Sequence, residues 1–314
     1  MSQRMRYDIV INLFITLILR ESVQPKILTD GVIASVVCPF VPKGELDTER
    51  LGGEVALLDK SPVQGLCVGG LLSGVAGAAP EELRLITSVV RKATKKPIFA
   101  MVWPDVAPEA EEMLHAVIDG GADVALIAQP HYLCQPGEAG LMEMFEELRV
   151  QSKLPLLLAD CFPEAKVGIK TIRHLVDEKL IDGVLQAADA HTLVDLLCLH
   201  LKVPVYCGIE DLHYVAYILG AHGSISDLGS VFPRELSEVY SSFKEGEHEK
   251  ARIHHERLVR LWKILSPAAE RESRVRAALV AQGREVGAAR SPYNFLGANV
   301  DQLIRSALQK EEIV

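Results

Sequence analysis

The sequence lacks the motifs by which several classes of protein are recognised. It contains no Cys-x-x-Cys and no His-x-x-x-His pair, so a zinc site has little support. No Gly-x-Gly-x-x-Gly follows the first apolar run, which argues against a dinucleotide-binding sheet. Basic residues never cluster beyond adjacent pairs, and 33 basic against 42 acidic residues give a net charge of -9. We therefore expect no metal, no cofactor and no nucleic acid partner.

Long apolar runs are also missing, since none reaches the roughly 20 residues of a membrane-spanning helix. The most apolar segment, residues 7–19 (YDIVINLFITLIL), is interrupted by Asp8 and Asn12. Arg4 and Arg6 precede it, as in a signal peptide, but no small-x-small cleavage site follows. We expect no membrane span. An interfacial element, a signal peptide and a misassigned start codon stay open for this N-terminal extension, to which we assign no role in the chemistry.

The six cysteines show no paired spacing, and most lie in apolar patterns. This usage is typical of buried, reduced thiols, and we expect a cytoplasmic protein. Apolar residues make up 49% of the chain and charged residues 24%, which is ordinary for a folded protein. With 314 residues, the chain is long enough for one barrel with a helical appendage.

Short apolar runs alternate with segments of helical periodicity along most of the chain. The runs cover residues 32–38, 65–68, 98–102, 124–127, 154–159, 183–186, 203–207 and 223–226. Continuous apolar strands between helices predict a parallel sheet that is covered on both faces. Eight such units predict a (β/α)8 TIM barrel. The alternative is an open doubly wound sheet, which the missing glycine motif disfavours.

The pattern changes after residue 233, where it is helical without further strands. We therefore predict an N-terminal extension over residues 1–27, a (β/α)8 barrel over 28–232, and the last barrel helix with a C-terminal helical bundle over 233–314. No linker rich in Gly, Ser or Pro separates these parts, so we expect no separately mobile domain.

Four segments carry a resemblance to a known family: residues 31–40 (GVIASVVCPF), 129–132 (QPHY), 220–226 (GAHGSIS) and 245–252 (EGEHEKAR). In order and spacing they resemble the first strand, the Pro-Tyr-Tyr segment, the eighth strand and the C-terminal hinge of the dihydrodipicolinate synthase / N-acetylneuraminate lyase family of class I aldolases. The resemblance implies that family's barrel with its C-terminal helices. It also implies a small-molecule substrate and a homo-oligomer, either a dimer or a tetramer.

The chain departs from this family where the chemistry takes place. The family's Schiff-base lysine lies on the sixth strand, and the match puts Leu185 at that position. A leucine side chain has no nitrogen, so it forms no imine. The family's Gly-Thr-Thr-Gly-Glu loop, which binds a 2-oxo acid carboxylate, matches residues 69–74 (GGLLSG) without either threonine hydroxyl. Lys166 and Lys170 lie in the loop and helix after the fifth strand, and a loop lysine beside Glu164 is in an environment that does not suit a replacement Schiff-base lysine.

The C-terminal ends of the strands are where a TIM barrel holds its active site. This rule selects Cys38, Ser73, Trp103, Asp105, His131, Tyr132, Asp160, Cys161, Gln186, Glu210, Asp211, Ser226 and Asp227. Because side chains alternate along a strand, we expect Gln186 to point away from the barrel axis. We predict the substrate-binding residues to be Gly69, Gly70, Ser73, Leu185 and Ser226.

Tyr132 and Asp160 are the predicted catalytic residues. Tyr132 matches the family's catalytic tyrosine, which implies a proton donor or shuttle; the alternative is an aromatic wall of the pocket. Asp160 ends an apolar strand, where burial would raise its pKa towards that of a useful general base. The alternative role for Asp160 is to accept hydrogen bonds from the amides of the following loop.

Two functions of different classes are compatible with these residues. The first is a lyase or hydro-lyase that acts on a small carbonyl or oxo-acid-like substrate through acid/base groups at the barrel mouth. The second is a non-catalytic paralogue, a ligand-binding or regulatory barrel. Fold alone does not decide between them.

Overall fold

The computed structural model describes residues 28–75, 77–130 and 135–314. Eight parallel strands form a closed barrel in which each strand pairs with its neighbours in sequence and the first pairs with the last. The strands are β1 (Gly31–Ser35), β2 (Gly65–Val68), β3 (Ile98–Val102), β4 (Val124–Ala128), β5 (Leu156–Asp160), β6 (Gly183–Gln186), β7 (Val205–Cys207) and β8 (Gly223–Ser226). The predicted TIM barrel is confirmed. The predictions made for residues 1–27 lie outside the described ranges.

Helices follow the strands around the outside of the barrel and continue beyond it. They are α1 (Thr48–Lys60), α2 (Pro80–Ala93), α3 (Ala107–Gly120), α4 (Glu138–Gln151), α5 (Ile169–Asp177), α6 (Ala190–Cys198), α7 (His213–Ile218), α8 (Leu228–Val231), α9 (Pro233–Lys244), α10 (His248–Leu265), α11 (Arg271–Ala281) and α12 (Val300–Lys310). In the described part of the chain, no helix is both long enough and apolar enough to cross a membrane.

Local sequence signals set the ends of these helices. The carboxylate of Asp47 precedes α1 and accepts a hydrogen bond from the amide of Arg50 at 3.0 Å. Pro80 occupies the first position of α2, where the amide has no helical partner. Gly121 ends α3 with a φ of 90°, a left-handed conformation that glycine adopts without strain.

Each strand presents one face to the barrel interior and the other to the helices. Alternate residues such as Ile33, Phe99 and Leu126 form a single interior cluster. Their neighbours, such as Val32 and Ile98, pack against the surrounding helices. This alternation decides whether a polar residue at a strand's end faces the barrel axis or the helices.

The C-terminal segments are attached to the barrel by charged contacts as well as apolar ones. Arg284 and Glu54 form a buried bidentate ion pair, and Arg284 also donates to the carbonyl oxygen of Ser230. The guanidinium groups of Arg276 and Arg290 lie 4.8 and 4.1 Å from the ring centroid of Phe40. These contacts hold the helices after α8 against the first turns of the barrel.

Candidate active site at the barrel mouth

Three residues from different strands meet inside the barrel, at the C-terminal ends of the strands. Ser35 ends β1, Gly70 follows β2 and Asp227 directly follows β8. A Cβ atom on Gly70 would lie 2.7 Å from Ser35 Oγ and 3.1 Å from Asp227 Oδ1, so only glycine leaves room for both groups. Ile225 belongs to the interior cluster, and alternation puts Asp227 on the same side.

The carboxyl group of Asp227 is poised between its two protonation states. Burial and the nearby charge of Glu210 raise the pKa of Asp227 to about 7, against the opposing effects of Ser35, the Leu72 amide and Arg271. Its Oδ1 atom is buried and has no hydrogen-bond partner among the described residues. A carboxyl group with this pKa can both accept and donate a proton near neutral pH.

The barrel interior is lined by thiols together with aliphatic and aromatic side chains. Cys67, Met101, Cys161 and Leu185 all belong to the interior cluster. Burial raises the pKa of the Cys67 and Cys161 thiols, and the nearby charge of Asp227 raises both further. The two thiols are therefore neutral, and the wall carries no charge of its own.

No described lysine reaches this interior. Every lysine in the described ranges is exposed except Lys96, and the Lys96 ammonium donates to the carbonyl oxygens of Leu58 and Ser61 at 3.2 and 2.7 Å. Lys166, one of the two lysines considered above, forms an exposed ion pair with Asp189 at 3.3 Å. The inner position on β6 is occupied by Leu185.

The structure contradicts the expected position of Asp160. Its neighbours Ala159 and Cys161 face the interior, so Asp160 points to the outer side of the wall. There Oδ2 accepts a hydrogen bond from Gln186 Nε2 at 2.7 Å, and Oδ1 accepts one from the Val167 amide at 3.2 Å. Burial raises the pKa of Asp160 to about 6, against these two hydrogen bonds. The carboxylate thus holds the loop after β5, the alternative role considered for it.

Ser226 likewise lies on the outer side and does not face a substrate at the mouth. Its hydroxyl donates to Glu210 Oε2 at 2.5 Å and accepts from the Gly229 amide at 3.1 Å. Glu210 Oε2 also contacts His213 Nε2 at 3.0 Å, while Oε1 accepts from the Asp227 amide at 2.6 Å. This buried cluster fixes the backbone of Asp227, whose side chain turns inward.

The loop after β2 comes to the mouth as predicted, but its serine hydroxyl does not. Ser73 Oγ donates to the carbonyl oxygen of Gly70 at 2.5 Å, so the predicted substrate-binding hydroxyl is used within the loop. Gly69 has a φ of 76°, and its carbonyl oxygen accepts from Trp103 Nε1 at 2.7 Å. Gly69 and Gly70 therefore border the mouth through their backbone. Tyr132 lies outside the described residues, and so does His131.

Sequence reasoning selected Asp227 as a candidate without giving it a role, and it missed Ser35. Asp227 was selected only by its position after the eighth strand, and Ser35 was not selected at all. The signal was present: on β8 the apolar Ile225 lies between Ser224 and Ser226, and two steps beyond Ile225 comes Asp227. Extending the alternation one residue past the strand would have put Asp227 inside.

Comparisons with known proteins agree with the barrel fold and identify relatives of the chain. The chain is 28% identical over 239 residues to the 4-hydroxy-tetrahydrodipicolinate synthase of Methanothrix thermoacetophila, covering 74% of this chain and 80% of that protein. It is 25% identical over 284 residues to an uncharacterized DapA-like lyase of Pyrococcus horikoshii, covering 88% of this chain and 98% of that one.

Among solved structures, the fold is similar to that of a prophage protein of the dihydrodipicolinic acid synthase family from E. coli K12, in complex with pyruvate. The TM-score is 0.85 at 23% identity, covering 91% of this chain and 100% of the other. The model of the dihydrodipicolinate synthetase family matches residues 28–311. The chain therefore belongs to the dihydrodipicolinate synthetase family.

Proposed function

We propose that this protein is a DapA-like lyase that acts on a small carbonyl substrate by acid/base catalysis, without a Schiff-base lysine. The observation that carries the proposal is the contrast inside the barrel: a carboxyl group, Asp227, stands at the mouth, whereas the described lysines stay outside. Family membership and the lyases among the relatives support the reaction class.

The proposed chemistry begins with proton transfer to Asp227. The ionised carboxylate takes the proton of a substrate hydroxyl, the neighbouring carbon–carbon bond breaks, and its electron pair moves onto the carbonyl group. The resulting enolate oxygen needs a hydrogen-bond donor, and the Ser35 hydroxyl beside Asp227 is suited to that task. The enolate carbon then takes a proton, which Asp227 can return.

Three of the predicted binding residues keep a role in this proposal. The backbone of Gly69 and Gly70 would border the substrate, and Leu185 would contact its apolar part. Tyr132 keeps the donor or shuttle role that the family resemblance implies. The homo-oligomeric state also stays a prediction.

The test compares two aspartates on opposite sides of the wall. Turnover is measured for wild type, Asp227→Asn and Asp160→Asn on a panel of aldol and dehydration substrates. We expect Asp227→Asn to lower kcat by about 100-fold or more, the usual contribution of an acid/base group. If Asp160→Asn abolishes turnover and Asp227→Asn does not, the assignment is wrong and the sequence-based expectation for Asp160 stands.

The same measurements separate an enzyme from a ligand-binding barrel. If wild type turns over no member of the panel while ligands raise its Tm, the non-catalytic alternative replaces the proposal. Borohydride reduction of wild type with pyruvate tests the missing imine. A covalent adduct inside the barrel would overturn the claim that Schiff-base chemistry is lost.

A further inference from the structure

The charge of the barrel mouth restricts which substrates can enter. Asp227 Oδ1 is buried without a hydrogen-bond partner among the described residues, beside the Ser35 hydroxyl and the Gly70 backbone. A buried acceptor of this kind destabilises the protein unless a bound molecule donates to it. The atom therefore favours a ligand that brings a hydroxyl group.

The described cations near the mouth are engaged elsewhere. Arg276 is buried, but its guanidinium contacts Glu272 at 3.2 Å, the Val286 carbonyl at 2.9 Å and the Ser73 carbonyl at 3.4 Å. Arg271 lowers the pKa of Asp227 by its charge, but its Nε donates to the Ser266 carbonyl at 2.9 Å. The Arg271 guanidinium also lies 5.5 Å from the ring centroid of Trp262.

The donors at the mouth also serve Asp227 itself. The Ser35 hydroxyl and the Leu72 amide are the neighbouring groups that favour the ionised carboxylate. A substrate carboxylate would have to compete with Asp227 for these donors and would meet its negative charge at short range. A neutral hydroxyl group meets no such repulsion.

We infer that the substrate is an uncharged hydroxy-carbonyl compound whose hydroxyl group donates to Asp227 Oδ1, and that Asp227 excludes 2-oxo acids from the mouth. This inference rests on the proposed function and adds the substrate class to it. A 2-oxo acid at the mouth would bring a second carboxylate close to that of Asp227.

Hydroxyacetone and pyruvate provide a matched pair of probes. They share a methyl ketone and differ in a hydroxymethyl group against a carboxylate. Ligand-observed NMR titration of the full chain at pH 8 measures Kd for each. We expect wild type to bind hydroxyacetone at least about tenfold more tightly than pyruvate. In Asp227→Asn, which keeps the size but removes the charge, we expect the preference to shrink by about tenfold or to reverse.

A pH titration of wild type gives a second readout that needs no variant. Lowering the pH from 8 to 6 protonates Asp227, so pyruvate binding should strengthen while hydroxyacetone binding changes little. The other groups that act on Asp227 are Glu210, Arg271, Cys67 and Cys161, and the arginine keeps its charge over this range. Burial keeps the two thiols neutral as well.

The inference is overturned if wild type binds pyruvate as tightly as hydroxyacetone, or if neither the Asp227→Asn variant nor the lower pH changes the ratio. Its failure differs from that of the proposed function. Turnover of a 2-oxo acid that depends on Asp227 would support the proposed lyase function and contradict the inferred substrate class. A clear preference for hydroxyacetone over pyruvate without any turnover would support the inferred ligand class and contradict the proposed lyase function.

Discussion

The two sides of the barrel wall differ in how completely the polar side chains at the strand ends are hydrogen-bonded. On the outer side, Asp160 and Gln186 are bonded to each other, and Ser226 shares Glu210 with His213. On the inner side, Asp227 keeps one buried carboxylate oxygen without a partner among the described residues. Both sides carry carboxyl groups with a raised pKa, so the shift alone does not mark the active side.

The comparison teaches that satisfaction of hydrogen bonds separates a structural carboxylate from a candidate functional one. Both carboxylate oxygens of Asp160 accept hydrogen bonds, from Gln186 and from the Val167 amide, and these bonds anchor the loop after β5. The Asp227 amide donates to Glu210, the Ser35 hydroxyl and the Leu72 amide act on its carboxylate, and Oδ1 still has no hydrogen-bond partner among the described residues. A buried polar atom without a partner needs an explanation, and the proposed function explains Oδ1 as an acceptor for the substrate.

The largest change should follow from adding an amine to the inner wall. We expect Leu185→Lys to form a Schiff base with hydroxyacetone, because the apolar surroundings lower the pKa of a buried lysine and leave it nucleophilic. Borohydride reduction followed by peptide mass spectrometry should locate the adduct at position 185. The exposed lysines of the same sample, such as Lys179, are an internal control and should stay largely unlabelled. Equal labelling of position 185 and of Lys179 would contradict an accessible inner wall.

Substitutions on the outer side of the barrel wall should change the stability of the fold and not the chemistry of the barrel interior. We expect Glu210→Gln to lower the free energy of unfolding by about 3–5 kcal/mol, because it leaves the charged His213 buried without its carboxylate. Denaturant titration measures the change. Asp211→Asn, at the exposed neighbouring position, is the matched control and should be within about 0.5 kcal/mol of wild type. A loss below about 1 kcal/mol for Glu210→Gln would contradict a stabilising role for the buried Glu210 and His213 pair.

A smaller loss of stability should follow from breaking the second outer pair. Gln186→Leu removes the donor to Asp160 and the acceptor for the Ala188 and Asp189 amides. We expect a loss of about 1–3 kcal/mol, because buried polar groups are left without partners. Thermal unfolding measures it, with Gln151→Leu at an exposed helix end as control. An unchanged Tm would show that these hydrogen bonds contribute no net stability.

An effect of similar size, visible only as a change of stability with pH, should come from titrating His213. Burial lowers its pKa, but hydrogen bonds with Cys207 and Glu210 outweigh burial and raise it to about 10. A raised histidine pKa stabilises the fold fully below the unfolded value of about 6.5, and this stabilisation is lost as the pH rises towards the folded value. Between pH 6.5 and 8.5 we expect wild type to lose roughly 2 kcal/mol relative to His213→Gln. Parallel stability curves for the two proteins would contradict the charged state of His213.

Sequence reasoning predicted the barrel well because strand and helix patterns are local. The run over residues 98–102 matches β3 (Ile98–Val102), and that over 183–186 matches β6 (Gly183–Gln186). The site was predicted less well, because the same alternation was applied to Gln186 and not to Asp160, which pairs with it directly across the sheet. Register between strands is a tertiary property and joins residues that lie 26 positions apart.

The sequence by itself determined the eight-fold alternation, the family, and the leucine on the sixth strand. Periodicity and composition are local properties of the sequence, so recognising them requires no knowledge of long-range contacts. Only the tertiary structure decided which carboxylate faces the interior. Closing the sheet brings Ser35 of the first strand beside Asp227, which follows the eighth strand. No local sequence pattern predicts this contact. The direction of each side chain follows from register and closure, and these decide that Asp160 is hydrogen-bonded on the outer side while Asp227 Oδ1 lies inside without a partner among the described residues.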